Sequence, residues 1–271
     1  MTADPPVHTF AGPDGVRLAW RETGDGRPVV LLHGLMAGGA HLLGGELVSA
    51  LTASGHRVIL PDLRGHGDSE GPHDPARYPP DVLTDDVLAL IAHLGLDAHD
   101  GDGDDNDNGA DDGNSGYDLG GYSMGGKLVL RLLARGARPA RAFVGGQGLD
   151  ALDAESDRTG GYRTLLAAMA SGEAFEPGSP DARFAQWISQ IGADPVAIGH
   201  VLNTFTATPR AAFRQVPTPV LVVVGDGDSR GATAGELAAL LPNGRLVVVP
   251  GDHGTALEAP EFTAAITSFL G

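Results

Sequence analysis

Continuous apolar runs of strand length alternate with longer segments of helical spacing through most of this chain. That alternation restricts the fold more than any other feature. Pro28-Val-Val-Leu-Leu-His33 has no polar position before its histidine, which suits a strand covered on both faces. Arg57-Val-Ile-Leu-Pro61 repeats the signal, strands are also expected over 141–145, 219–224 and 245–249, and 117–122 reads as a short, less apolar strand. Residues 16–22 instead alternate, like an antiparallel strand near a surface. Between the strands, Val82, Leu83, Val87, Leu90, Ile91 and Leu94 recur at three- and four-residue spacing over 81–96. Leu128, Val129, Leu132 and Leu133 do the same over 124–135, and helices are expected near 232–241 and 260–270. Buried strands alternating with helices predict an α/β fold with a parallel sheet flanked by helices.

The rhythm breaks after Gly148. Residues 150–214 are mainly helical, over 162–170, 181–191 and 195–205. Inserted between two strands, this block reads as a lid on a core formed by 1–149 and 215–271. Its Phe184, Trp187, Ile188, Leu202 and Phe205 fit helical spacing, which predicts packing between lid and body, with Trp187 a candidate to meet substrate. A second departure is 97–116, built from Asp, Gly and Asn, which cannot bury a core and reads as an acidic solvated loop. Asp104, Asn106, Asn108 and Gly109 match the start of a calcium loop. Position twelve of that match is Ser115, not a bidentate Glu, and no helix pair flanks it, so the match is compositional.

The formal charge of −17 argues against nucleic acid or an anionic membrane as a partner. Eight of those negatives, Asp97, Asp100, Asp102, Asp104, Asp105, Asp107, Asp111 and Asp112, fall in the acidic segment. No apolar run approaches the roughly 20 residues that cross a bilayer. The first fifteen residues carry acids and prolines without a basic, apolar start, so no secretory signal is expected, and a cytoplasmic location is. The absence of cysteine excludes disulfides, a thiolate zinc site and a cysteine nucleophile. No metal and no cofactor is expected, and the oligomeric state is unreadable.

Chemistry enters at Gly121-Tyr122-Ser123-Met124-Gly125. A serine flanked by glycines two residues away on each side suits a tight turn from strand to helix that lifts its hydroxyl above the sheet edge. With 41 glycines in 271 residues such a pentapeptide also arises by chance, so its neighbours must decide. Four other segments each follow a predicted strand: His33-Gly34-Leu35, Asp62-Leu-Arg-Gly-His-Gly-Asp-Ser69, Gly225-Asp-Gly-Asp228 and Gly251-Asp-His-Gly254. Open parallel α/β sheets gather their sites at those carboxyl ends. An amide from the loop after His33, with the Met124 amide, would face the oxyanion of an acyl-transfer intermediate.

Together these motifs resemble the α/β-hydrolase fold family, in family order from residue 33 to 253. The resemblance implies a mostly parallel, twisted eight-stranded sheet flanked by helices, with a helical lid inserted after the sixth strand. It implies Ser123 as nucleophile, His253 as general base and Asp228 as the acid that orients it, with Asp226 the alternative. Leu35 and Met124 would donate the oxyanion amides, and His33, Gly34 and Trp187 are candidates near substrate. His33, His66, Asp62 and Arg64 also fit roles in bracing their loops. The pocket is expected to be mostly apolar, since no basic cluster marks these loops. The implied function is cofactor-independent serine hydrolysis of a small ester, thioester or lactone. Carbon–carbon bond hydrolysis, perhydrolase (haloperoxidase-like) chemistry, or a low-turnover receptor using the same pocket are the alternatives.

Overall fold

The computed structural model describes residues 5–97, 116–154 and 157–271; the acidic segment 98–115 and its calcium-like match lie outside them. Eight strands form one sheet: β1 (His8–Ala11), β2 (Arg17–Thr23), β3 (Arg27–Leu32), β4 (His56–Asp62), β5 (Asp118–Tyr122), β6 (Arg141–Gly145), β7 (Val220–Gly225) and β8 (Gly244–Val249). Their order is β1-β2-β4-β3-β5-β6-β7-β8. From β4 to β8 across the sheet every pairing is parallel, and β2 runs antiparallel to both its neighbours. After β3 the chain adds β4 on one side and then returns to lay β5 on the other. The order therefore reverses between β3 and β5, where an open α/β sheet leaves a crevice at its carboxyl edge.

The described α-helices are α1 (Gly39–Leu43), α2 (Glu46–Ala53), α3 (Val82–His93), α4 (Met124–Ala134), α5 (Asp157–Ala170), α6 (Pro180–Gln190), α7 (Pro195–Val201), α8 (Ala234–Leu240) and α9 (Pro260–Leu270), with short 3-10 turns between them. The alternation along β3 explains how the layers form. Val30 and Leu32 enter one apolar core with Leu90 of α3, Leu132 of α4 and Leu237 of α8. Val29 and Leu31 enter the other, with Leu51 of α2 and Ile266 of α9. Both faces are covered, as a continuous apolar strand requires. The glycines of β5 have a packing reason: a Cβ on Gly120 would lie 1.9 Å from the Phe143 ring of β6. Helices α5 to α7 lie between β6 and β7, with a small core of their own around Leu166, Ile198 and Leu202.

Three elements escaped the sequence pattern. Strand β1 is four residues long with no fully buried position. Helices α1 and α2 are separated by Gly44-Gly45, which interrupts their periodicity. The helix expected over 195–205 ends at Val201.

The turns after β3 and β4 are locked by buried polar groups. Asp62 accepts from the Gly39 amide (2.6 Å), the Asp68 amide (3.1 Å) and Arg21 (3.0 Å). Arg64, fully buried, reaches Asp86 through two bonds of 2.9 and 2.8 Å and Asp14 through two of 2.8 Å. His33 is fully buried too: Nε2 accepts from the Leu63 amide (3.0 Å) and Nδ1 donates to the Gly34 carbonyl (2.8 Å). His66 lies against it, its ring 4.9 Å away. These bonds hold His33 neutral, and burial pushes its pKa down from 6.5 to about 3; burial also lowers that of His66.

A pH dependence of stability follows. The unfolded chain protonates His33 near its ordinary pKa of 6.5, whereas the folded chain resists until about 3. The stability due to neutral His33 is full above the ordinary value and is lost as pH falls. Over the window between roughly pH 6.5 and 5, above most carboxylate titration, His33 should remove about 2 kcal/mol of stability. Urea unfolding of the wild type and His33→Gln across that window measures it. The loss should shrink in the variant, and equal slopes would refute the assignment.

Candidate active site

The turn after β5 is shaped by two close approaches. A Cβ on Gly125 would sit 2.1 Å from the Leu32 carbonyl oxygen, and one on Gly121 would sit 2.4 Å from the Gly125 carbonyl carbon. Glycine at both positions lets the first turn of α4 press onto the end of β3. The chain pivots at Ser123, a non-glycine residue at φ 56° and ψ −116°. Such a conformation costs about 1–3 kcal/mol and persists where its surroundings impose it. Here the Ser123 amide donates to the Gly145 carbonyl of β6 (2.9 Å), and Gln147 Nε2 donates to the Ser123 carbonyl (2.5 Å).

Two distant loops meet this serine. His253, after β8, has Nε2 2.9 Å from Ser123 Oγ and Nδ1 2.7 Å from Asp228 Oδ2. A carboxylate accepts, so Nδ1 carries the proton, and Nε2 is the acceptor facing the hydroxyl. The Asp228 side chain is fully buried, and its other oxygen accepts from the Arg230 amide (2.8 Å). Tyr122 Oη donates to the His253 carbonyl (2.7 Å), tying that loop to the serine turn. Asp226 is exposed and accepts from the Gly251 amide (3.0 Å), bracing the histidine loop from outside. Asp228, the acid that the resemblance implies ahead of Asp226, is the one hydrogen-bonded to His253 Nδ1.

The amides of Leu35 and Met124 donate to no protein acceptor among the described residues. Both residues line a cavity of about 320 Å³ that also holds Ser123, His253 and Gly34. That volume is at the small end of ligand sites. Its apolar wall includes Met36, Tyr162, Trp187, Leu202 and Phe205, several of them from the block between β6 and β7. Trp187 is 42 % exposed, while Ile188 beside it is buried as packing. His33 does not line the cavity; both its ring nitrogens serve the loops beneath.

The cavity is less uniformly apolar than the sequence suggested. Lys127, Gln147, Asp150 and Arg230 form a polar part of the wall. Lys127 had a legible signal, since it follows Ser123 by four residues and so shares its helix face. Arg230 follows the triad-like Asp228 by two. Gln147 and Asp150 lie in a connection with no periodicity.

Residues 29–266 match the model of the alpha/beta hydrolase family. The chain belongs to that family. A non-heme haloperoxidase of Rhodococcus erythropolis is 28 % identical, over 95 % of this chain and 97 % of that protein. Epoxide hydrolase 2 of Siraitia grosvenorii is 33 % identical, but over 33 % of this chain and 28 % of that protein. The chain aligns with less than half of the length of that relative and of an AB hydrolase superfamily protein of Bacillus subtilis, where 40 % is covered. A crystal structure of a hydrolase from Pseudomonas aeruginosa PA01 superposes with a TM-score of 0.72 at 24 % identity, covering 98 % of each chain, which shows a shared fold. Among the described residues no helix is long and apolar enough to cross a membrane, and no cluster of three or more histidines or acids could hold a metal.

The serine turn of this family member depends on glycine in a way that can be measured. Gly125→Ala must push α4 off Leu32, whereas Gly44→Ala meets no atom within 4 Å. The first variant should lose several kcal/mol of stability, as overpacking against rigid backbone does, or fail to accumulate as soluble protein. The second should unfold within about 1 kcal/mol of wild type. Equal denaturation midpoints for the two would refute the close approach.

Proposed function

We propose that this protein is a cofactor-independent serine hydrolase that cleaves a small carboxylic ester, thioester or lactone through an acyl-enzyme. The observation that carries the reading is the continuous hydrogen-bonded chain from Ser123 through His253 to Asp228, opening onto a cavity with two free amides.

Ser123 Oγ attacks the scissile carbonyl while its proton passes to His253 Nε2. Asp228 holds the ring by Nδ1 and offsets the charge that the imidazolium acquires. The carbonyl oxygen becomes an oxyanion facing the Leu35 and Met124 amides, which need no reorientation because no acceptor among the described residues occupies them. Collapse breaks the bond to the alcohol or thiol, which leaves with the proton from His253. Water then loses a proton to Nε2, attacks the acyl carbon and releases the acid, returning the proton to Ser123. Water is the only co-reactant. The helices of 150–214 act as the lid that completes the apolar wall and limits substrate size.

Chemistry also separates this reading from the epoxide hydrolases. Serine opening an epoxide would leave an ether on the protein, which activated water does not cleave. An acyl ester on Ser123 is cleaved by water. The similarity to a haloperoxidase favours one further capability: hydrogen peroxide intercepting the acyl-enzyme in place of water, releasing a peracid.

Steady-state kinetics with p-nitrophenyl esters of short acids test the assignment. Ser123→Ala should lose about a thousandfold or more in kcat, and Asp228→Asn a comparable amount, because it leaves the histidine in the wrong tautomer. Asp226→Asn should retain activity within a few-fold. Full turnover by Ser123→Ala would overturn the mechanism.

A further inference from the structure

Arg230 stands apart from the other half-buried or buried arginines. Arg21, Arg64, Arg131 and Arg141 each grip a carboxylate. Arg230 is half-buried in the cavity wall, beside Ser123 and His253, and its guanidinium makes no hydrogen bond or ion pair among the described residues. In a chain with 35 acids and 18 lysines and arginines, an arginine without an acid is not a shortage of partners. Its backbone is fixed, because its amide donates to Asp228 (2.8 Å) and the next amide, of Gly231, donates to the Asp228 carbonyl (2.8 Å). The side chain therefore starts from a fixed point in the wall of the cavity that also holds the reacting serine.

A second cation lines the same cavity. Lys127 lies one turn along α4 from Ser123, its amide donating to the Ser123 carbonyl (3.1 Å). Its ammonium donates to the Asp153 carbonyl (2.5 Å) and lies 5.0 Å from the centre of the Phe205 ring. A carbonyl and a ring face leave its charge without a counter-ion in contact among the described residues, and burial lowers its pKa from the ordinary lysine value. Asp150 lines the cavity as well, with Oδ1 buried and without a hydrogen-bond partner. The Asp153 and Asp150 carboxylates both act on the Lys127 charge, so Arg230 is the cation of this wall to which no carboxylate is bonded among the described residues.

We propose that the substrate carries a carboxylate remote from the bond to be cleaved, and that Arg230, supported by Lys127, receives it. The substrate class is then a monoester or lactone of an acid that keeps a free carboxylate. This rests on the ester-hydrolase reading above and narrows it. The guanidinium fork matches a carboxylate in two parallel bonds. The net charge of −17 repels anions at a distance, so selection for an anion must come from contacts inside the cavity. A remote ion pair would also orient the scissile carbonyl over Ser123. A neutral ester of the same size leaves the guanidinium half-desolvated and unpaired.

The test compares kcat/KM for three esters: p-nitrophenyl hexanoate, the p-nitrophenyl monoester of glutarate, and the acetate ester of p-hydroxybenzoate. The last two carry the carboxylate on the acyl side and on the alcohol side. Wild type should favour one of the anionic esters over its neutral counterpart, phenyl acetate serving for the third. That preference should fall about tenfold to a hundredfold in Arg230→Gln, recover partly in Arg230→Lys, weaken in Lys127→Met and shrink with added salt. Free glutarate should compete with the preferred ester in wild type and lose that competition in Arg230→Gln. Thermal unfolding checks that each variant is folded. Turnover of neutral and anionic esters without preference, or a preference that survives Arg230→Gln, would overturn the carboxylate site while leaving the hydrolase reading intact. No turnover of any ester by wild type would instead overturn the hydrolase reading.

Discussion

The contact on which the rest of this structure depends is the approach of helix α4 to the end of strand β3. With no side chain on Gly121 or Gly125, the first turn of the helix comes to within contact of the Leu32 backbone. Three consequences follow from that one packing. Ser123 is forced into a strained left-handed conformation that raises its hydroxyl clear of the sheet. The Met124 amide, at the start of the helix, is left without an acceptor among the described residues. The loop after β3 comes alongside, with Gly34 close enough that a Cβ there would lie 3.6 Å from that of Ser123. The raised serine and the amides beside it are thus a product of backbone packing.

The sheet supplies the partners. Because β3 and β5 flank the reversal of strand order, the serine turn opens into the crevice there. β7 and β8 follow on the same side in parallel register, so the loops after them arrive at the same edge with Asp228 and His253. Tyr122, the last residue of β5, ties the histidine loop back by its hydroxyl. Buried polar groups then hold the opposite side of the crevice: Asp62 and His33 fix the turns after β4 and β3.

Much of this was legible in the sequence because it rests on local pattern. The apolar run of β3 gave a strand covered on both faces, and Val29 and Val30 indeed enter opposite cores. The glycine spacing around Ser123 gave the turn. Of the aspartates at 226 and 228 the family resemblance implied Asp228, with Asp226 the alternative, since sequence alone does not say which side of a turn faces inward. The structure bonds Asp228 to His253 and turns Asp226 outward. Of the polar part of the cavity only Lys127, four residues after Ser123, was legible. Lys127, Gln147, Asp150 and Arg230 lie on three separate segments and converge only through the strand order, so no window of sequence contains them. β1 and the α1–α2 pair were missed for a simpler reason: four residues, or a helix split by two glycines, carry too little periodicity to read.

The central claim is that Ser123 becomes covalently acylated during turnover. Intact-mass and peptide mass spectrometry after brief mixing with p-nitrophenyl acetate tests it most directly. The account predicts one acetyl group per chain, on the peptide containing Ser123, appearing within the time of a turnover and disappearing as the ester is exhausted. Ester hydrolysis with no acetyl on Ser123, or with acetyl accumulating at another residue, would contradict it.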